Sequence, residues 1–454
     1  MPTIVSRGAM SARAFGAFRT SLGAVNFLEV RTVSGGSLQY NNSFVDSAYN
    51  TYVTGYEGNG TFIPIEKINS TGVTTSFSNR VTGGASTNSC CQNFSSISSC
   101  VDVDSSGNIY VGGTAGDTGR GTVQAYDSSG NLLWQKYIYP GSDQTYVTCV
   151  AGIKYNPVNG YVYVVTQIGT SSSFLFAALN ASTGALVLNR KMSGYVGLSG
   201  ADNYYYSVSN NMAVDSSGYV YVCYCGSTVY TGDNVGYLKI DTGFSIQQFP
   251  VVTGLFASSQ YAQCITLDSS GNVYVGTCGG SGYLKACVIK FDSSGTYLWN
   301  ATASLASASL GFQAITTDSS GNVYCGGGGS AGNLGANSYI LKFDSSGTIQ
   351  YQRQFNSDTW PIRGLNMGPS NSMYFSGTFA STKAFLGNIP TDGSKTGTYT
   401  VGSNSVIYSA GSLTIGSATL VGTTLSTSFS GAGSYGDASY TSGTFTPTVS
   451  RTAI

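Results

Sequence analysis

Along residues 38–395 short apolar runs alternate with polar stretches that bend the backbone. "CITLD" runs into "SSG" and "NVYVGT" leaves it, then "CVIKFD" runs into a second "SSG" and "TYLWNA" leaves that one. Runs this short, rich in Val, Ile and Tyr and bounded by Asp, Ser and Gly, predict β-strands joined by tight hairpins. In "VYV" and "IYV" both strand faces are apolar, as expected of a sheet covered on both sides.

The pattern repeats. One turn type (A) begins at Asp46, Asp104, Asn156, Asp215, Asp268, Asp318 and Gly368, at spacings of 50 to 59 residues. A second (B) begins at Asn69, Asp127, Asn180, Asp241, Asp292, Asp344 and Thr391, each 23 to 26 residues after its A turn. The spacing therefore predicts seven units of four strands. Asp104, Asp127, Asp215, Asp268, Asp292, Asp318 and Asp344 are expected to be structural, because an aspartate can accept the backbone amides that follow it while Gly supplies positive φ. A motif used this often is architecture rather than a catalytic signature.

The pattern D-S-S-G-N-[IV]-Y-V-G-G resembles the repeats of seven-bladed β-propellers and, more distantly, NHL repeats. "LNASTGALVLNRK" (179–191) is similar to quinoprotein-like propeller repeats, with Trp134 and Trp299 at the matching place in other units. The resemblance implies an all-β, seven-bladed propeller over residues 38–395. The cofactor-binding residues of quinoproteins find no match here, so it implies no cofactor and no activity. Sialidase Asp boxes also pair Asp, Gly and Trp, but Trp134 stands seven residues after Asp127, too far for that motif.

The ends differ from this frame. Residues 1–37 read as an N-terminal docking arm in which 25–33, "VNFLEVRTV", looks like one more outer strand. That strand either closes the ring on the last unit, around residues 383–389, or belongs to a separate arm. Residues 396–454 are Gly/Ser/Thr-rich with short alternating runs, and are expected to form strands or extended segments packed on a neighbouring subunit, the alternative being a disordered tail.

Composition narrows the function. The chain of 454 residues has no histidine, 9% charged residues, zero formal net charge and only three glutamates. Histidine-based nucleophilic and metal sites are excluded, and no basic cluster suits nucleic acid. No apolar stretch of about 18 residues predicts a membrane span, and arginines interrupt every apolar run at the N-terminus. The ten cysteines fall mostly where sister repeats carry Val and read as small buried hydrophobes. Cys90, Cys91 and Cys100 are the disulfide candidates in an oxidising medium. No metal or cofactor is expected.

"RGAMSARAFGAFRTS" is similar to segments of tailed-phage structural proteins, and "SAGSLTIGSATLVGTTLS" to the tails of phage appendage proteins. This resemblance implies a non-enzymatic virion protein, assembled in the host cytoplasm, held by other virion proteins through both ends and compatible with a homo-oligomer. The alternatives are a lyase or glycan hydrolase working at the central mouth, and a secreted bacterial adhesion propeller. The A and B turns fall at one end of each unit, so length variation collects at the other. There Tyr146, Asp202, Tyr204, Tyr205, Tyr230 and Asp233 are the candidate binding residues for a host glycan or protein surface.

Overall fold

The computed structural model describes residues 26–34, 36–57, 62–70, 75–82, 100–115, 120–139, 148–168, 173–193, 210–226, 234–255, 260–279, 285–305, 310–329, 337–356, 359–380, 382–424, 430–432, 434–437, 442–444 and 448–453. Seven antiparallel blades follow one another in chain order. Blade 5 shows the plan: Gln260–Leu267, Val273–Gly279, Lys285–Phe291 and Tyr297–Ser304 lie side by side, each paired with the next. The first strands of consecutive blades pack on one another all the way round: Leu38–Val45, Cys100–Val103, Thr148–Asn156, Met212–Val214, Gln260–Leu267, Leu310–Thr317, Thr359–Gly368 and back to Leu38–Val45. That closed circuit makes the fold a seven-bladed β-propeller with these strands innermost.

The turns follow from their residues. Oδ1 of Asp268 accepts the amides of Ser270 and Asn272 at 2.9 and 3.0 Å. Its Oδ2 accepts Asn272 Nδ2 at 2.8 Å and the Tyr274 hydroxyl at 3.0 Å. Asp46, Asp104 and Asp318 repeat all four bonds. Asp215 repeats three, because Tyr219 replaces the asparagine. At the B turns Asp127, Asp292 and Asp344 each accept two amides at 2.9–3.0 Å. A glycine with φ between 76° and 90°, a region that side chains avoid, closes each of these turns except the one at Asp46, where Tyr49 takes φ 64°.

Ring closure uses the N-terminal strand. Phe27–Thr32 pairs antiparallel with Lys383–Pro390, in register from Phe27↔Asn388 to Arg31↔Ala384, and so becomes the fourth strand of blade 7. Beside it lies a buried ionic cluster. Arg31 donates to Glu29 on the same strand and to Glu66 of blade 1 at 2.6 Å, and the Tyr40 hydroxyl also donates to Glu66. All four side chains are fully buried. Glu57 is buried as well, so none of the chain's three glutamates is at the surface.

The C-terminal segment does something its sequence did not suggest. From Asn404 on, its described strands add to the outer edge of the chain's own blades, one blade at a time and backwards round the ring. Asn404–Ala410 pairs with blade 6, Thr414–Gly416 with blade 5 and Val421–Thr424 with blade 4. Ser430–Ala432 pairs with blade 3, Ser434–Asp437 with blade 2 and Ser442–Thr444 with blade 1. Thr448–Ala453 then pairs with Phe27–Thr32 and completes blade 7. The twist of a sheet makes this path possible. At roughly 20–25° per strand, four steps outward from an inner strand turn the direction by about 80–100°. A fifth strand therefore runs round the rim, where one chain can pass from blade to blade as a belt.

Two side chains carry the belt across gaps between blades. Gln352 Oε1 accepts the Leu413 amide at 2.8 Å and its Nε2 donates to the Leu413 carbonyl at 3.1 Å. Asn300 treats Ala418 in the same way, at 2.8 Å for both bonds. Each amide side chain thus replaces a missing strand partner for one belt residue.

Candidate functional site

The predicted binding residues Tyr146, Asp202, Tyr204, Tyr205, Tyr230 and Asp233 all lie outside the described residues. Three regions with chemistry remain: the turn face, the buried ionic cluster and the central channel.

The turn face is a set of stitches between blades. A lysine two residues before the B turn recurs as Lys67, Lys239, Lys290 and Lys342. Lys67, Lys290 and Lys342 lie 5.1–5.5 Å from the ring centre of their own blade's A-turn tyrosine. Each also donates to a carbonyl of the next blade's B turn, at 3.0–3.4 Å. Trp134 and Trp299 reach across similarly, to Ala181 O at 2.8 Å and Ser345 O at 3.0 Å. A Cβ on Gly184 would stand 2.7 Å from the Trp134 ring, which is why the turn beneath it carries glycine. Burial first, then the neighbouring aspartate, raises the hydroxyl pKa of Tyr110, Tyr221 and Tyr274 above the ordinary tyrosine range. These hydroxyls stay protonated as donors, and the aspartates are occupied by the turn. The sequence signal for these lysines is their fixed place two residues before the B turn.

The ionic cluster has the residue types of an acid–base site, but its side chains are sealed between the closing strand and blade 1. Burial raises Glu66 above the usual carboxylate range against the pull of Arg31. Its geometry joins the closing strand to the ring. Burial likewise raises the thiols of Cys100, Cys223, Cys264, Cys287 and Cys325, the opposite of what a reactive cysteine needs.

The channel is the region with geometry suited to a ligand. Among the described residues, five inner strands carry a β-bulge at the same place, five residues before the A turn. The bulged residues are Asn41, Ala151, Gln263, Gln313 and Arg363. Asn210 holds the equivalent place in blade 4. A bulge re-aims a side chain, and here it brings polar groups together at the waist of the ring. Arg363 donates to Asn41 Oδ1 at 2.6 Å. Asn210 donates to the carbonyls of Gln313 and Arg363 at 3.2 and 2.7 Å and accepts from Asn42 at 2.8 Å. It therefore ties blade 4 to blades 6, 7 and 1 and bridges the channel.

On the A-turn side of that bridge lies a cavity of about 440 Å³ bounded by the ends of six inner strands. Lys154 and Asp102 form an ion pair of 3.2 Å on its wall, and Asp102 Oδ2 also accepts the Tyr155 amide at 2.8 Å. Among the described residues no group of three His, Cys, Asp or Glu is placed to hold a metal.

No family model and no curated protein matches the chain. Solved structures similar to it include the Dos1 propeller, at 12% identity and a TM-score of 0.42, covering 79% of this chain and 95% of that one. The NanB sialidase of Streptococcus pneumoniae shows 12% identity and a TM-score of 0.44, covering 79% and 70%. A quinonprotein alcohol dehydrogenase-like protein of Bacteroides thetaiotaomicron shows 11% identity and a TM-score of 0.39, covering 70% and 66%. At such identities the likeness concerns fold, and the propeller assignment rests on the strand order above.

Proposed function

We propose that this protein is a structural component of a tailed-phage particle, an appendage whose propeller presents a surface to a host or partner molecule. The observation that carries the reading is the belt. Outer blade edges are templates for unwanted pairing with other chains, and here the C-terminal segment adds to the edge of all seven blades. A protein displayed in many copies outside the cell has most need of covered edges and of a ring held at both ends. The Arg/Ala/Gly/Phe-rich stretch before Phe27 then serves as the anchor, since the C-terminal segment is engaged on the ring.

Mass spectrometry of purified particles tests the role: peptides of this chain should be present at structural-protein abundance, and their absence would overturn it. The double replacement Tyr205→Ala with Tyr230→Ala should abolish attachment and leave the melting curve unchanged. Attachment that survives it would move the binding surface elsewhere.

A further inference from the structure

We infer that the cavity at the A-turn mouth of the channel binds a neutral, hydroxyl-rich small molecule, a single hexose unit. The site does not depend on the particle role. Its volume, about 440 Å³, falls within the roughly 300–1,000 Å³ typical of small-molecule pockets. Its wall repeats one register: Asp102, Lys154, Ala213, Thr266, Thr316 and Asn366 each stand two residues before an A turn and line the cavity together. Behind them Asn210 bridges the channel.

The charges at this wall, one lysine against two aspartates among the described residues, turn anions away. Lys154 and Asp102 neutralise each other. Asp215, the other carboxylate at the mouth, is committed to the amides of Ser217 and Tyr219 and the hydroxyl of Tyr221. Among the described residues no surplus positive charge lines the cavity, so a phosphate or a carboxylate gains nothing there. What the wall offers is a mixture of donors and acceptors. Lys154 has three N–H groups, directs one of them to Asp102 and is about a third exposed. The hydroxyls of Thr266 and Thr316 can donate or accept. Asn366 has its amide nitrogen held by Ser43 at 2.8 and 2.9 Å, which leaves its oxygen as an acceptor. Between these groups Ile265, Ile315, Leu365 and Met212 supply carbon surface. Polar groups of both kinds set in an apolar wall match a sugar ring, with hydroxyls on its rim and C–H bonds on its faces.

The test uses the full chain and ligand-observed saturation-transfer NMR with glucose, galactose, mannose and N-acetylglucosamine. Glucuronate and cyclohexanol serve as the anionic and apolar controls. At least one neutral sugar should give saturable binding that exceeds both controls. Thr316→Val, which keeps shape and removes one hydrogen bond worth about 1 kcal/mol, should weaken it about fivefold. Lys154→Met should weaken it at least as much. Should Lys154→Met fail to fold once Asp102 loses its partner, Thr316→Val decides alone. The inference is overturned if no sugar saturates, if glucuronate or cyclohexanol binds more tightly, or if Thr316→Val binds as the wild type does. None of these outcomes bears on whether the protein is in a virion.

Discussion

The blades and the belt are both made of strands, yet only the blades announce themselves. Every blade must turn its chain at the same two places and pack both faces against neighbours, so the residues that allow this recur: Asp, Gly and Tyr at the A turn, Asp and Gly at the B turn. The belt has no turn to repeat. It buries a few side chains, Val406, Tyr408 and Leu413 among them, but it joins each blade by main-chain hydrogen bonds to an existing edge, and any sequence without interruption by proline can make those. Its strands are regular in space, one per blade, and irregular in sequence. Side-chain packing leaves a periodic trace in a sequence, and main-chain pairing leaves almost none.

The strongest challenge to this comparison is at the seam where the two systems meet. Phe27–Thr32 has a blade strand on one side and the last belt strand on the other, and Arg31 fixes it to blade 1 through Glu66. Arg31→Met should strand two buried carboxylates and cost about 3–5 kcal/mol in urea melts. A loss below about 1 kcal/mol would mean that backbone pairing alone holds the seam.

The belt crossings should come next. Gln352→Leu removes both bonds to Leu413 and leaves its amide and carbonyl without that partner at a partly buried position. A loss of about 1–3 kcal/mol is expected, with proteolysis beginning in the C-terminal segment while the blades stay intact. Cleavage starting within the blades would show that belt and ring are one cooperative unit.

A turn aspartate should matter somewhat less, because each blade has two turns and six others remain. Asp318→Ala is expected to cost about 0.5–2 kcal/mol, by analogy with the loss of an Asp that caps backbone amides. The effect carries a pH signature. Burial alone would raise Asp318, but its bonds from Asn322, Tyr324 and two backbone amides outweigh this and hold its pKa below the ordinary value. A folded pKa below the unfolded one means stability that is present above the usual aspartate range and lost as pH falls through the lowered value. Asp318→Asn should therefore flatten the acid limb of the stability curve. An unchanged limb would assign acid unfolding to other carboxylates.

The smallest effect is expected within a belt strand. Val421 is 63% exposed and pairs through its backbone with Thr253. Val421→Ser should change stability by no more than about 0.5 kcal/mol. A larger loss would mean that the belt reads sequence after all.

Much of the fold was legible in advance for the reason the blades repeat: a seven-fold demand for the same turn writes itself into the chain seven times. The bulged channel residues were far less visible. Asn41, Gln263, Gln313 and Arg363 differ in type, and only their common distance from the A turn relates them. The belt clamps gave a fainter sign still, since Asn300 and Gln352 share the eighth place after a B-turn aspartate with Gln135. The lysine before the B turn was the clearest signal left unused.

By itself, then, the sequence determined seven blades, the two turn types and the residues that hold them, because these depend on contacts within about ten residues of chain. The tertiary structure decided the rest. It chose Lys383–Pro390 as the partner of Phe27–Thr32, laid the described strands between Asn404 and Ala453 along the outer edges of the chain's own blades, and gathered six inner strands about one cavity. Those outcomes join residues hundreds of positions apart through backbone pairing and the accumulated twist of the sheets, and neither carries a local code.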